Sequence, residues 1–546
     1  MSVRTIVMVA GCCLAALSAS AQAPHDHQHA HEESLGRVHF PTTCSADVQP
    51  AFDRAVAMLH SFGYEEARHA FKEVAGKDPS CGMAHWGVAM TYYHPIWAPP
   101  SPADLEAGRT AAEAATRIGA RSAREQRYIE AISAFFVEKE PRQHGARAAA
   151  YRAGIEKLAS EFPEDDEART FLALALLATA PPHDKTFANQ KRAAELVKPL
   201  IEKNPEHPGV LHYTIHSFDV PELASLALPA ARAYAKVAPS SPHALHMPSH
   251  IFTRLGLWDE CIKSNIASAD AGRAVAATAH PGAASYEALH ALDYLEYAYL
   301  QVGNDAKARE VLEEVRAAST FDEPTFSAAY SLVAVPARFA LERRDWAAAA
   351  ALELPSVAMP WERFEYVRGV TYLANALGAV RTGNVARARQ AAGALEKLHA
   401  TLASAPPAGP YDWAGQVQSM QLAADGWVAF AEGRKDDAIR LLTAAAEKEE
   451  LVGKHPVTPG SILPARELLG DLMMELERPA DALTAYERSL KDAPKRLNTL
   501  ASAAHAAKLA GDEGRARRYA KEVVALCGAS CERPEVQRAK GIVGSE

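Results

Sequence analysis

Residues 469–494 read LGDLMMELERPADALTAYERSLKDAP, and the spacing inside this stretch decides the fold. Leu469 and Gly470 open a first amphipathic segment, Ala482 and Tyr486 stand in a second, and Pro494 ends it. A small residue lets two helices approach closely, and an aromatic ring fills the space between them. Proline stops the second helix, because it has no N–H to donate and its ring clashes with the preceding turn. The same order returns along the chain at a period of 34 residues. Ala67, Phe71 and Pro79 carry it, as do Gly303 with Ala308, Gly383 with Ala388, and Gly426 with Gly433 and Ala438. A weaker copy surrounds Ala516, and residues 325–350 follow the pattern loosely. No region sustains a two-residue alternation, so strands are not expected. One helix pair cannot bury its apolar face alone, and successive pairs must stack.

This pattern resembles the tetratricopeptide repeat over most of residues 45–530. The resemblance implies an all-α fold, a right-handed α-solenoid of helix hairpins whose first helices line a concave groove. We expect one array over 45–404 and a second over 411–532, with a tail at 533–546. The Pro-rich stretch Ala405-Pro406-Pro407-Ala408-Gly409-Pro410 separates the two arrays in this reading. Two further Pro-rich connections, at 94–102 and 181–184, interrupt the repeat. Insertions into repeat arrays tend to decorate one face, often the binding face.

The amino terminus has a different character. Arg4 precedes an apolar run from Ile6 to Leu17, followed by the small residues Ser18-Ala19-Ser20-Ala21-Gln22-Ala23. This is the order of a secretory signal peptide over residues 1–23, and the run is too short to span a bilayer. A periplasmic or secreted product is expected; the alternative is a lipid anchor at Cys12, where Val9-Ala10-Gly11-Cys12 looks like a lipobox. Residues 24–44 form a His-rich flexible segment, with His25, His27, His29 and His31 able to scavenge metal loosely. Five cysteines lie beyond the signal segment. In an oxidising compartment Cys44 can pair with Cys81, and Cys527 with Cys531. Sequence alone does not fix that connectivity.

Composition narrows the function. Hydrophobic residues make up 48% of the 546-residue chain and charged residues 23%, ordinary values for a folded domain. The net charge is −9, and removing residues 1–23, whose only charge is Arg4, leaves −10. A chain this acidic, without a basic block, argues against nucleic acid as partner. No transmembrane segment is expected in the exported chain.

Two consecutive repeats align without a gap. Residues 207–218 read HPGVLHYTIHSF and residues 241–252 read SPHALHMPSHIF, at an offset of 34. Pro208 and Pro242 suit the first turn of a helix. Side chains at i, i+3, i+4 and i+7 share a helix face. His212 and His216 therefore form one stripe, and His243, His246 and His250 another. The resemblance implies that the second, fifth and ninth places of each first helix face the groove. Those six slots hold Gly209, His212, His216, His243, His246 and His250. In the next pair the same slots hold His290, Asp293 and Tyr297, and Asp219 lies one turn beyond His216.

Neutral imidazoles suit zinc and copper, and a carboxylate nearby can ligate or hold a histidine tautomer. We therefore expect His212, His216, His243, His246 and His250 as metal ligands. Asp219, His290, Asp293 and Tyr297 are expected to support those ligands from behind or to touch a bound ligand. Pro248 should leave the Ala244 carbonyl unpaired and bend its helix at the cluster. Met247 reads as core. His85 and His94 with Trp86 and Trp97 form a weaker second group, for which a packing role is expected. His60, His69, His144, His183, His280, His455 and His505 read as surface or satisfied core residues.

The chain has no H-E-x-x-H, no G-x-S-x-G, no phosphate-cradling loop and no dinucleotide fingerprint. No catalytic residue can be assigned from a signature. Three functions fit: a groove that binds zinc or copper, or a ligand through the metal; a hydrolytic or oxidative metalloenzyme using the same cluster; or a metal-free scaffold for a protein or peptide. The partner is then a protein, a peptide or a small molecule in the groove.

Overall fold

The computed structural model describes residues 34–96, 99–137, 144–405, 411–527 and 531–544. The signal segment, Cys12, residues 24–33 of the His-rich segment and Trp97 lie outside the described residues. Among the described residues the chain forms twenty-six α-helices and short 3-10 turns, with a single isolated bridge between Ala284 and Phe321. Each helix packs on the next, and the result is an α-solenoid of TPR-like helix pairs. No helix among the described residues is long and apolar enough to cross a membrane.

The repeat signature works as expected. A Cβ placed on Gly470 would meet the Tyr486 ring at 2.5 Å, so the glycine is the space the aromatic ring occupies. Gly87 stands in the same relation to Phe71, at 2.3 Å. The residue closing the first helix of a pair takes a left-handed conformation, at Gly256, Gly303, Gly383, Gly433 and Gly511. Phe62, Arg344 and Glu477 adopt it without being glycine.

Apolar packing runs through three successive clusters, from Leu35 to Val210, from Leu211 to Ala298 and from Ala269 to Ala539. The last has members on both sides of the Pro-rich stretch at 405–410, and helices Val385–Ser404 and Trp413–Ala431 pack directly on each other. The Cys44–Cys81 disulfide forms, with Cα atoms 4.9 Å apart. Cys527 and Cys531 are buried thiols, not a bridge.

One expectation changes. The groove is not open at the histidine slots, because the chain returns on itself. Lys454 Nζ reaches Asp219 at 3.0 Å, and the Tyr294 hydroxyl donates to the Thr458 carbonyl at 2.9 Å. Trp258 Nε1 donates to the Lys495 carbonyl at 3.0 Å, and Leu497 N donates to Gln301 Oε1 at 2.9 Å. Residues 453–464 and the helices after them thus close over the middle of the array. Buried ion pairs hold this closure: Arg496 pairs with Glu342 at 2.6 Å and Glu467 at 2.9 Å. Within the array Arg338 pairs with Asp293 at 2.5 Å.

Candidate metal centre

Three first helices present the histidines. Helix Pro208–Phe218 begins at a His207 N-cap, whose Nδ1 accepts from Val210 N, and Pro208 occupies its first turn. The next is capped by Ser241 and is broken: Pro242–His246 ends, and Pro248–Leu255 resumes after one turn residue. Pro248 therefore breaks the helix where the sequence placed a bend. The third, Tyr286–Gln301, is capped by Ser285.

The histidines do not converge on one point. They gather as two adjacent triads, His212 with His216 and His243, and His246 with His250 and His290. Within each triad one ring nitrogen or more from every residue lies within 4.8 Å of the others. The triads are neighbours: the His216 and His250 rings are 6.1 Å apart, and those of His243 and His246 are 6.4 Å apart. His290, expected to support the site, is a full member of the second triad. Its ring is 4.1 Å from that of His246.

Hydrogen bonds fix the tautomers. The His212 Nδ1–H donates to the His60 carbonyl at 2.7 Å. The His250 Nδ1–H donates to the Asp219 carboxylate at 3.0 Å. His246 Nδ1 faces Asn265 Oδ1 at 2.7 Å, while the Asn265 amide donates to the Cys261 carbonyl at 2.8 Å. That second bond orients the amide, so His246 Nδ1 is again the donor. In a neutral imidazole the other nitrogen is then a bare acceptor. His246 Nε2 and His250 Nε2 nevertheless face each other at 3.0 Å. Two lone pairs at this distance in a dry interior repel unless a cation lies between them. A proton is disfavoured there, because burial pushes the pKa of both rings down. Two imidazole nitrogens on one tetrahedral zinc sit about 3.3 Å apart, close to what this pair offers.

The first triad repeats the theme. His212 Nε2 and His243 Nε2 are 3.1 Å apart, and His216 Nε2 is buried without a hydrogen-bond partner. Burial lowers the His212 pKa to about 3 and carries those of His216 and His243 well below their ordinary value. Phe62 covers this triad, its ring 4.4 Å from that of His212 and 5.3 Å from that of His243. Its left-handed backbone, φ 57°, is costly for a residue with a Cβ and is held by this packing. Tyr294 covers the second triad, 4.7 Å from the His246 ring and 4.9 Å from the His250 ring.

Asp219 is the electrostatic hinge of the site. Burial alone would raise its pKa, but Lys454 and Arg254 outweigh that and hold the carboxyl ionised. Arg254 Nε donates to Oδ1 at 2.9 Å, so Asp219 binds two cations while it accepts from His250. A buried group pairs in the same way beneath the first triad. Glu167 accepts from His60 at 2.8 Å and from His207 at 2.7 Å. That clamp fixes the His60 backbone whose carbonyl anchors His212. Gly209, the one slot without a histidine, leaves room for the His60 ring: a Cβ there would meet Nδ1 at 2.5 Å.

Two expected site residues serve elsewhere. Asp293 is turned to Arg338, and Tyr297 accepts from Arg496 at 3.3 Å. Tyr294, one turn beyond His290, takes the place assigned to them. His60 and His455 are buried, and His455 stacks on Trp413 at 4.9 Å. Met247 is core, and His94 bonds the Thr91 carbonyl at 3.1 Å. A cavity of about 470 Å³ adjoins the centre. Its wall includes His216, Asp219, Arg254 and Lys454, and both the Pro95-Ile96 and Pro181-Pro182 insertions line it.

No protein-family model matches the chain, and no curated protein does. Among solved structures it is similar to Naa15/Naa10 bound to HypK-THB, at 13% identity over 90% of each chain with a TM-score of 0.26. The APC/C hetero-tetramer Cut9–Hcn1 is similar at 14% identity over 90% of each chain, with a TM-score of 0.33. The human IFIT1 dimer with m7Gppp-AAAA is similar at 13% identity over 82% of this chain and 91% of that one, with a TM-score of 0.37. Likeness at this level transfers no function, and the solenoid assignment rests on the chain's own helix pairs.

Proposed function

We propose that this protein binds transition-metal ions, zinc or copper, in its buried histidine centre. One observation carries the reading. His246 Nε2 and His250 Nε2 stand 3.0 Å apart as facing acceptors, each with its Nδ1–H already committed. Ligand imidazoles in metal sites typically donate their second nitrogen to a carboxylate, amide or carbonyl, and Asp219, Asn265 and the His60 carbonyl supply that support. The ligand set is His212, His216, His243, His246, His250 and His290. It has no thiolate and no directly facing pair of carboxylates, which suits zinc and copper over magnesium or calcium.

A peptide lying in the groove is a weaker reading, because His212, His243, His246, His250 and His290 are at most 3% exposed. A metal-dependent enzyme is the second reading. It is favoured by the cavity that reaches His216, where a bound metal would act as a Lewis acid or lower the pKa of a water. Export fits the Cys44–Cys81 disulfide, since such bonds persist in oxidising compartments.

The test is metal analysis of the full chain with His25, His27, His29 and His31 replaced by Gln and no affinity tag. Zinc or copper should remain bound in stoichiometric amount after dialysis. The His246→Ala/His250→Ala double variant should lose metal while keeping its helical circular dichroism. A folded wild-type protein that takes up neither zinc nor copper would end the proposal.

A further inference from the structure

Six imidazoles exceed the four positions of a structural zinc site and the three protein ligands of a catalytic one. A single ion would leave bare, buried nitrogens beside a cation. The grouping resolves this, because the six rings form two triads. The triads also differ in access. An aromatic ring covers each triad, but His246, His250 and His290 are 0, 2 and 3% exposed and none of them lines the cavity. Of the six rings, His216 alone forms part of the cavity wall. Its Nε2 is buried without a hydrogen-bond partner, and one of its ring nitrogens lies within 4.8 Å of those of His212 and His243.

We propose that the centre holds two ions with separate roles: a closed one on His246, His250 and His290, and an open one on His212, His216 and His243 whose vacant coordination position faces the cavity and takes a small anionic ligand. This rests on the metal-binding reading above. The vacant position on a metal cation and the charge of the Asp219 cluster select the ligand class. Asp219 is outnumbered by Arg254 and Lys454, so the patch that these three side chains form in the wall is net positive before any metal is added, although the rest of the lining is mixed in charge. Both cations are paired and nearly buried, with side chains 10 and 5% exposed, so their field acts in a low-dielectric wall. The insertions at Pro95-Ile96 and Pro181-Pro182 line the same cavity.

The probes are cobalt(II), a spectroscopic substitute for zinc, and azide. The full chain with the four tract histidines replaced by Gln should bind two cobalt ions, and azide should shift the visible bands of one. His216→Ala and, as a milder replacement, His216→Asn should each hold one ion and lose the azide response. His290→Ala should hold one ion and keep it. Circular dichroism confirms that each variant is folded. One ion in the wild type would overturn the two-ion proposal while leaving the metal-binding reading intact, and no ion would overturn both. An azide response that survives in both His216 variants and disappears in His290→Ala would reverse the roles and defeat the assignment.

Discussion

Arg496→Leu should destabilise the chain by about 3–5 kcal/mol, the usual cost of removing one partner from a buried ion pair. Arg496 is fully buried and answers two carboxylates on different helices, Glu342 at 2.6 Å and Glu467 at 2.9 Å. It also donates to the Tyr297 hydroxyl and thereby holds the returning chain against helix Tyr286–Gln301. The sign of the Glu467 contribution to the pH dependence should invert, while Glu342, whose pKa burial already raises against the pull of Arg496, should be raised further. In the native protein burial opposes the Glu467 charge, but Arg496 and hydrogen bonds from Arg496 and Thr499 outweigh it and keep the pKa below its ordinary value. That contribution is present above the unfolded pKa and is lost as pH falls through the folded one. Without the guanidinium, burial and mutual repulsion raise both carboxyl pKa values, and the variant should become more stable from about pH 8 down to about pH 5. Denaturation midpoints at the two pH values check this. A loss below about 1 kcal/mol, typical of an exposed pair, would mean that the closure does not depend on Arg496.

The second large effect belongs to Asp219. Asp219→Asn should weaken metal binding by about 10–100-fold, the range found when a carboxylate behind a ligand histidine is removed. The amide still accepts from His250 Nδ1–H, but it no longer balances Arg254 and Lys454, and their positive charge then acts on the metal. Competition with a chromophoric chelator reads the affinity directly. Asn265→Asp, which places a charge behind His246, should strengthen binding under the same competition. Equal affinity in wild type and Asp219→Asn would remove Asp219 from the metal's support.

Much of this was legible from residue spacing. Gly470 and Tyr486 meet because the repeat demands a small residue where an aromatic packs, and sequence states that demand locally. The two histidine stripes were equally plain, since helical periodicity fixes which side chains share a face. Two things were not. Pro248 divides its helix, and the division into two triads follows from three-dimensional placement that a linear alignment of slots cannot express. The supports were also hidden: Asn265, Lys454 and the His60 carbonyl come from 15 or more residues away in the chain and carry no local pattern. Tyr294 could have been found, because it lies four residues after His290 on the same face. Asp293 and Tyr297 followed the slot pattern of an open groove, and the returning chain instead turned them to Arg338 and Arg496.

Closure also explains why the cluster is dry. An open solenoid would leave imidazoles in water, where facing acceptors are simply hydrated. Here residues 454–458 and Tyr294 exclude water from His246 and His250, so the repulsion between Nε2 atoms has no solvent to relieve it. The fold thus converts a sequence repeat into a site with a demand for a cation.

Anomalous X-ray scattering, collected at the zinc and copper edges from crystals of the metal-loaded protein, locates any ion without reference to the ligands. The account predicts a peak between His246 and His250, about 2.0–2.1 Å from each Nε2, and a second at His212, His216 and His243. Anomalous density confined to surface histidines, with the two rings still 3.0 Å apart and nothing between them, would contradict it.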